Sequence, residues 1–99
     1  MVSQPKVDIY HSKVCGLCAK AIDFLHRRGV SFTAHAVAYD AAADEFVDST
    51  TTREMIRRCG APVDFVPQIF IGERHVGGWR KLEAMIESGE IDALLPEGG

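Results

Sequence analysis

Ninety-nine residues, 46% of them hydrophobic and 25% charged, have the size and composition of one globular domain. A formal net charge of −3 argues against nucleic acid as the main partner, and no apolar run approaches the ~20 residues of a membrane span. Three cysteines are too few, and odd in number, for a secreted disulfide scaffold. The opening "MVSQPKVDIYHSKVC" lacks a signal-type apolar run, so a cytoplasmic protein is the expectation; a monomer is expected as well.

In chain order, Val7 to Tyr10 is a short apolar run between Pro5 and a polar segment, and predicts a first strand. From Cys15 the spacing changes: Cys18, Ile22 and Leu25 recur at i, i+4 and i+7, which predicts a helix over roughly 16–28, ended by Gly29. Val30 to Val37 alternates, with Val30, Phe32 and Ala34 set against Ser31, Thr33 and His35, as a second strand does. The acidic, Ala-rich segment 38–49 predicts a loop with one helical turn. Thr51 and Glu54 have capping-box spacing ahead of an apolar face of Met55, Ile56 and Cys59, and Gly60 and Pro62 stop this second helix. "FVPQIFIG" and "RHVGG", joined at Gly72–Arg74, read as a β-hairpin. Leu82, Met85 and Ile86 mark a third helix ended by Gly89, and Ile91, Leu94 and Leu95 a last short turn. The Arg27–Arg28 and Arg57–Arg58 doublets read as solvated helix ends, where cations are favoured. The order β-α-β-α-β-β-α predicts an α/β domain of thioredoxin type. Its four-stranded mixed sheet has parallel first strands, an antiparallel last pair, and helices on both faces.

The pair in "VCGLC" carries the chemistry. Cys15 falls at a helix N-terminus, where free N–H groups and the helix dipole favour an anion and hence the thiolate; His11 and Lys13 add positive potential. Cys18 lies one turn deeper on the same side and belongs to the apolar stripe. The spacing therefore yields one exposed nucleophile and one sheltered resolving thiol. Structural core cysteines and a zinc site are the competing readings. The first fits Cys18 better than Cys15, and the second lacks a second C-x-x-C or H-x₃₋₅-H motif. Cys59 reads as a structural cysteine. Pro67 cannot donate to a ladder and should precede its strand, either as punctuation or to leave the Val66 backbone open for an extended peptide. Gly77–Gly78 permits close backbone approach beside the free N–H groups of the third helix, a carboxylate-binding corner in principle. Trp79 beside it is either a stacking surface or a core cap.

Taken together, "IYHSKVCGLCAKAIDFL", "REMIRRCG", "VPQIFIGERHVGGWRKLEAM" and "ESGEIDALL" resemble the glutaredoxins, from about Lys6 to Leu95. The resemblance implies a thioredoxin-type fold and reduction of protein disulfides and of mixed disulfides with glutathione. It implies that Cys15 is the nucleophile and Cys18 the resolving thiol. Val66–Pro67 would be a cis peptide whose Val66 backbone pairs with the cysteinyl unit of glutathione. Gly78 and the following amides of Trp79 and Arg80 would take the γ-glutamyl carboxylate, and Lys13 and Arg53 would assist. Glutathione is then the co-substrate, no cofactor is held tightly, and the partners are disulfide-containing or glutathionylated proteins. Departures from the family pattern are Gly16 and Leu17 for its usual proline and tyrosine, and Phe65 for its usual threonine. Arg80 and Lys81 stand where acidic residues commonly meet the glutathione α-amine. These departures motivate two alternatives. One is a glutaredoxin-like electron donor to ribonucleotide reductase served by thioredoxin reductase. The other is a carrier of a [2Fe–2S] cluster, held through Cys15 and glutathione across a dimer.

Overall fold

The computed structural model describes residues 5–13, 15–40, 42–61, 63 and 65–95. The elements run β1 (Val7–His11), α1 (Gly16–Arg28), β2 (Thr33–Ala36), β3 (Tyr39–Asp40), β4 (Glu45–Phe46), α2 (Thr50–Cys59), β5 (Gln68–Ile71), β6 (Arg74–Gly77), α3 (Trp79–Ser88) and α4 (Glu90–Leu94). Two strands far apart in sequence, β1 and β5, pair antiparallel at the centre with Ile9 opposite Ile69. β2 joins the outer edge of β1 in parallel and β6 pairs antiparallel with β5, giving the order β2-β1-β5-β6.

Alternation along the two central strands separates two cores. Val7 and Ile9 of β1 and Ile69 and Ile71 of β5 pack with Ala21 and Leu25 of α1, Leu82 and Met85 of α3, and Ile91 of α4. Tyr10 and Phe70 turn to the other face and pack with Val37 and Met55 of α2. Because both faces are covered, β1 and β5 are buried along almost their whole length.

Several expectations shift. The second strand is shorter than the alternating run, and His35, expected to point outward, is half-buried: it bonds Asp8 at 2.9 Å and stacks on Tyr10 at 4.6 Å. The segment 38–49 forms a two-stranded ribbon in place of a helical turn. Asp40 Oδ1 accepts from the amides of Ala42 and Ala43, Tyr39 bonds Asp44, and Tyr39 and Phe46 meet edge to face at 5.4 Å. α2 starts at Thr50 with Ser49 as its cap: Ser49 Oγ accepts from the Thr52 amide, and Glu54 accepts from Tyr10. Gly60 closes α2 as expected, and Pro62 lies outside the described residues. Each arginine doublet splits. Arg27 is exposed, whereas the Arg28 side chain is 13% exposed and donates to Asp92 and to the Leu95 carbonyl. Arg57 is likewise exposed, whereas Arg58 reaches Asp8 at 3.2 Å and lies 4.2 Å over the Phe70 ring.

Candidate active site

β1 ends just before α1, so the turn between them delivers Cys15 to the helix tip above the C-terminal end of a central strand. Cys15 is the N-cap of α1, with extended backbone, and its amide donates to the Ser12 carbonyl. Its sulfur accepts from the Cys18 amide at 3.1 Å, in the place a cap hydroxyl would occupy. The thiol also donates to the Val66 carbonyl at 3.4 Å. Cys15 is half-buried, and Cys18 is 1% exposed. Burial, with the Cys15 sulfur beside it, pushes the Cys18 thiol up to about 12. The helix terminus thus presents one sulfur to solvent and to amide donors, and holds the other as a thiol.

The Val66–Pro67 peptide is cis and β5 begins at Gln68, so Pro67 precedes the strand. Beyond it opens a cleft of about 380 Å³, lined by Leu17, Val63 and Phe65 to Gln68, by His75, and by Gly77 to Lys81. Cys15 adjoins the cleft through Val66. At the far end Gly77 has φ 106°, which favours glycine, and a Cβ at Gly78 would stand 3.0 Å from the Phe65 ring. Gly78 caps α3 without a side-chain bond, leaving the first amides of that helix open. Trp79 is half-buried: it packs against the larger core and lines the cleft with its remaining surface.

Of the residues expected at the site, Cys15, Cys18, Val66, Pro67, Gly78, Trp79 and Arg80 come together here. Lys13 and Arg53 do not line this cleft. Lys13 borders a separate shallow groove with residues 36–39, and Arg53 pairs with Asp48 at 3.3 Å on the surface. His11 does not supply the expected positive potential, because burial and the neighbouring His35 hold its pKa below 6.5.

Sequence reasoning missed the wall behind the cleft. Gln68 is 1% exposed; its Nε2 donates to the Phe65 carbonyl at 3.1 Å, which leaves its Oε1 to accept from His75 Nε2 at 2.7 Å. This relay ties the segment before Pro67 to β6. The available signal was a single polar residue inside an apolar strand, "PQIF", which buried polar groups must answer with hydrogen bonds. Burial holds His75 below 6.5, with Lys81 and Arg58 adding to the effect, so the imidazole is neutral at pH 7. Cys59 Sγ lies 3.7 Å from the same nitrogen. Burial also raises the Cys59 thiol.

The glutaredoxin family model matches residues 7–76. The chain belongs to the glutaredoxin family. A glutaredoxin of Pseudomonas aeruginosa is 38% identical over 91 residues, covering 92% of this chain and 96% of that protein. The solution structure of a Brucella melitensis glutaredoxin superposes with a TM-score of 0.68 at 36% identity, covering 95% of this chain and 91% of that one. The crystal structure of a buckwheat glutaredoxin–glutathione complex, 18% identical, shares the fold with a TM-score of 0.69 over 90% of this chain and 74% of that one. The expected thioredoxin-type architecture is therefore observed, and this glutaredoxin is a thiol–disulfide oxidoreductase.

Proposed function

We propose that this glutaredoxin uses glutathione to reduce protein disulfides and glutathione mixed disulfides, with Cys15 as attacking thiol and Cys18 as resolving thiol. The observation that carries the reading is the inequality of the two sulfurs. Cys15 Sγ accepts the Cys18 amide at the α1 terminus beside an open cleft, whereas Cys18 is buried and its pKa is raised. In the reaction, the Cys15 thiolate bonds to one sulfur of the substrate disulfide, and the other sulfur leaves as a thiolate that takes up a proton. A glutathione thiolate then attacks the Cys15 mixed disulfide, releasing glutathione disulfide and restoring the Cys15 thiolate. On protein disulfides Cys18 attacks the Cys15 mixed disulfide instead, expelling the second substrate sulfur as a thiolate that takes up a proton. This leaves a Cys15–Cys18 disulfide, which two glutathione molecules reduce to the dithiol as they become glutathione disulfide.

Within this reading the Val66 backbone beside Pro67 holds the cysteinyl unit, and the amides at Gly78, Trp79 and Arg80 take a carboxylate. These residues line one cleft next to Cys15, and the glutathione complex of the buckwheat protein, which shares the fold, adds support. Lys13 and Arg53 are not part of it. The test is glutathione-dependent reduction of a glutathione mixed disulfide, coupled to glutathione reductase. Cys15→Ser should be inactive, and Cys18→Ser should keep activity because glutathione resolves the intermediate. Turnover with dithiothreitol but none with glutathione would refute the assignment of the reductant.

A further inference from the structure

The cleft carries more apolar surface than a glutathionyl group covers, and two cations beside it. Leu17 is 40% exposed and Phe65 52%, and these are two of the four large hydrophobic side chains exposed among the described residues. Both line the cleft, Leu17 from the first turn of α1 and Phe65 from the segment before Pro67. Glutathione has no apolar side chain to cover them. Arg80 and Lys81 line the same cleft, both exposed, and neither side chain takes part in an ion pair or hydrogen bond among the described residues. No acidic residue lines the cleft among the described residues, and the first turn of α3 holds none.

We infer that the preferred substrates are polypeptide disulfides whose cysteine is flanked by aliphatic and acidic residues, Leu17 and Phe65 covering the aliphatic side chains and Arg80 and Lys81 pairing with the carboxylates. The inference rests on the reading of Cys15 as the attacking thiol. Two physical effects act together. Covering half-exposed leucine and phenylalanine surface favours the encounter complex by removing apolar area from water. The unpaired cations steer an acidic chain into the cleft, which raises the association rate most at low salt. A basic peptide would meet Arg80 and Lys81 with like charge and, among the described residues, find no acidic side chain lining the cleft to compensate.

The test uses reduced Cys18→Ser protein, in which the adduct persists, and the symmetric disulfides of three peptides: Glu-Leu-Cys-Leu-Glu, Glu-Ser-Cys-Ser-Glu and Lys-Leu-Cys-Leu-Lys. The second-order rate of adduct formation is measured by stopped flow and mass spectrometry. Each rate is divided by that of dithiothreitol on the same peptide, which removes intrinsic differences in leaving-group pKa. The acidic, leucine-bearing peptide should react about tenfold faster than either of the others at low ionic strength. Its advantage over the lysine peptide should shrink at 0.5 M salt, where the Debye length is only about 4 Å. Adding Phe65→Ser should remove the preference for leucine, and adding Arg80→Glu should remove or invert the preference for acid. Both side chains are exposed, so neither change threatens the fold. Equal normalised rates for the three peptides, with glutathione disulfide still forming its adduct, would overturn the inference and leave the proposed function standing. No adduct with any peptide or with glutathione disulfide would overturn both.

Discussion

The buried thiol of Cys18 sets a pH dependence that can be worked out in advance. Its pKa of about 12 stands three units above the ordinary 9.0, with burial as the leading cause and the Cys15 sulfur next. At pH 7 the thiolate fraction is then about 10⁻⁵, a thousandfold below that of an unperturbed thiol. Greater basicity makes the thiolate a better nucleophile, and three units at a Brønsted coefficient of about 0.45 return roughly twentyfold. At the full pKa of about 12, attack by Cys18 would be about fiftyfold slower at pH 7 than attack by a thiol of ordinary pKa in the same place, and this is the ceiling for the mixed disulfide. Engaging Cys15 in a mixed disulfide weakens the second cause but not burial, so the Cys18 pKa stays above 9. The assay is single-turnover release of a fluorescent thiol from its Cys15 mixed disulfide, without external thiol, from pH 6 to 10. The release rate should rise about tenfold per pH unit up to about pH 9. Release by added glutathione should instead level off near the ordinary thiol range. A plateau below pH 9 in the absence of added thiol would refute the reasoning.

Further consequences concern the scaffold. Asp8, 2% exposed, is opposed by burial, but its bonds to His35 and Arg58 outweigh that, and its pKa lies below 3.8. Its contribution to stability is therefore present above pH 3.8 and lost as pH falls through the lowered value. Asp8→Asn should cost about 3 kcal/mol in urea unfolding at pH 7, with a flatter acid limb; a cost below about 0.5 kcal/mol would contradict the pairing. Gly78→Ala places a methyl 3.0 Å from the ring of Phe65, which is exposed and can move. The melting temperature should hardly change, whereas KM for a glutathione mixed disulfide should rise several-fold; an unchanged KM would remove Gly78 from the binding cleft. Gln68→Leu strips the Phe65 carbonyl and His75 of their shared partner, and unfolding should become easier by about 1–3 kcal/mol. An unaltered melt would show that the relay is dispensable.

Most of this fold is legible in the sequence, because the strongest signals are periodic. The stripe of Cys18, Ile22 and Leu25 places α1 within a residue, and the apolar runs at 7–10 and 68–71 are the two central strands. Elements near the edge are less legible, because packing no longer decides them. β2 is a thinly covered edge, so the alternation of Ala34 and His35 carries little weight against the pull of buried Asp8 on the imidazole. The run Ser49–Thr52 offers four hydroxyl residues, any of which can cap a helix, and only the bond from Thr52 Oγ1 to the Val47 carbonyl shows why Ser49 is the cap. In the 38–49 segment helix propensity points to a turn of helix, whereas the cross-strand aromatic pair, seven residues apart in sequence, makes a ribbon. At the site, the inequality of Cys15 and Cys18 follows from one helical turn and one apolar stripe. Arg53, Lys13 and Gln68 could not be placed that way, because which side of a helix end or loop faces the cleft depends on contacts far apart in the chain.

The central claim is that Cys15 alone attacks the incoming disulfide, and adduct mapping tests it most directly. Reduced protein is mixed with one equivalent of glutathione disulfide, quenched with an alkylating agent at early times and digested for mass spectrometry, in parallel with Cys18→Ser. The account predicts glutathione on Cys15 in both proteins, passing in the wild type to a Cys15–Cys18 disulfide and accumulating in Cys18→Ser, with Cys59 alkylated throughout. Glutathione found on Cys18 or Cys59 while Cys15 remains free would contradict it.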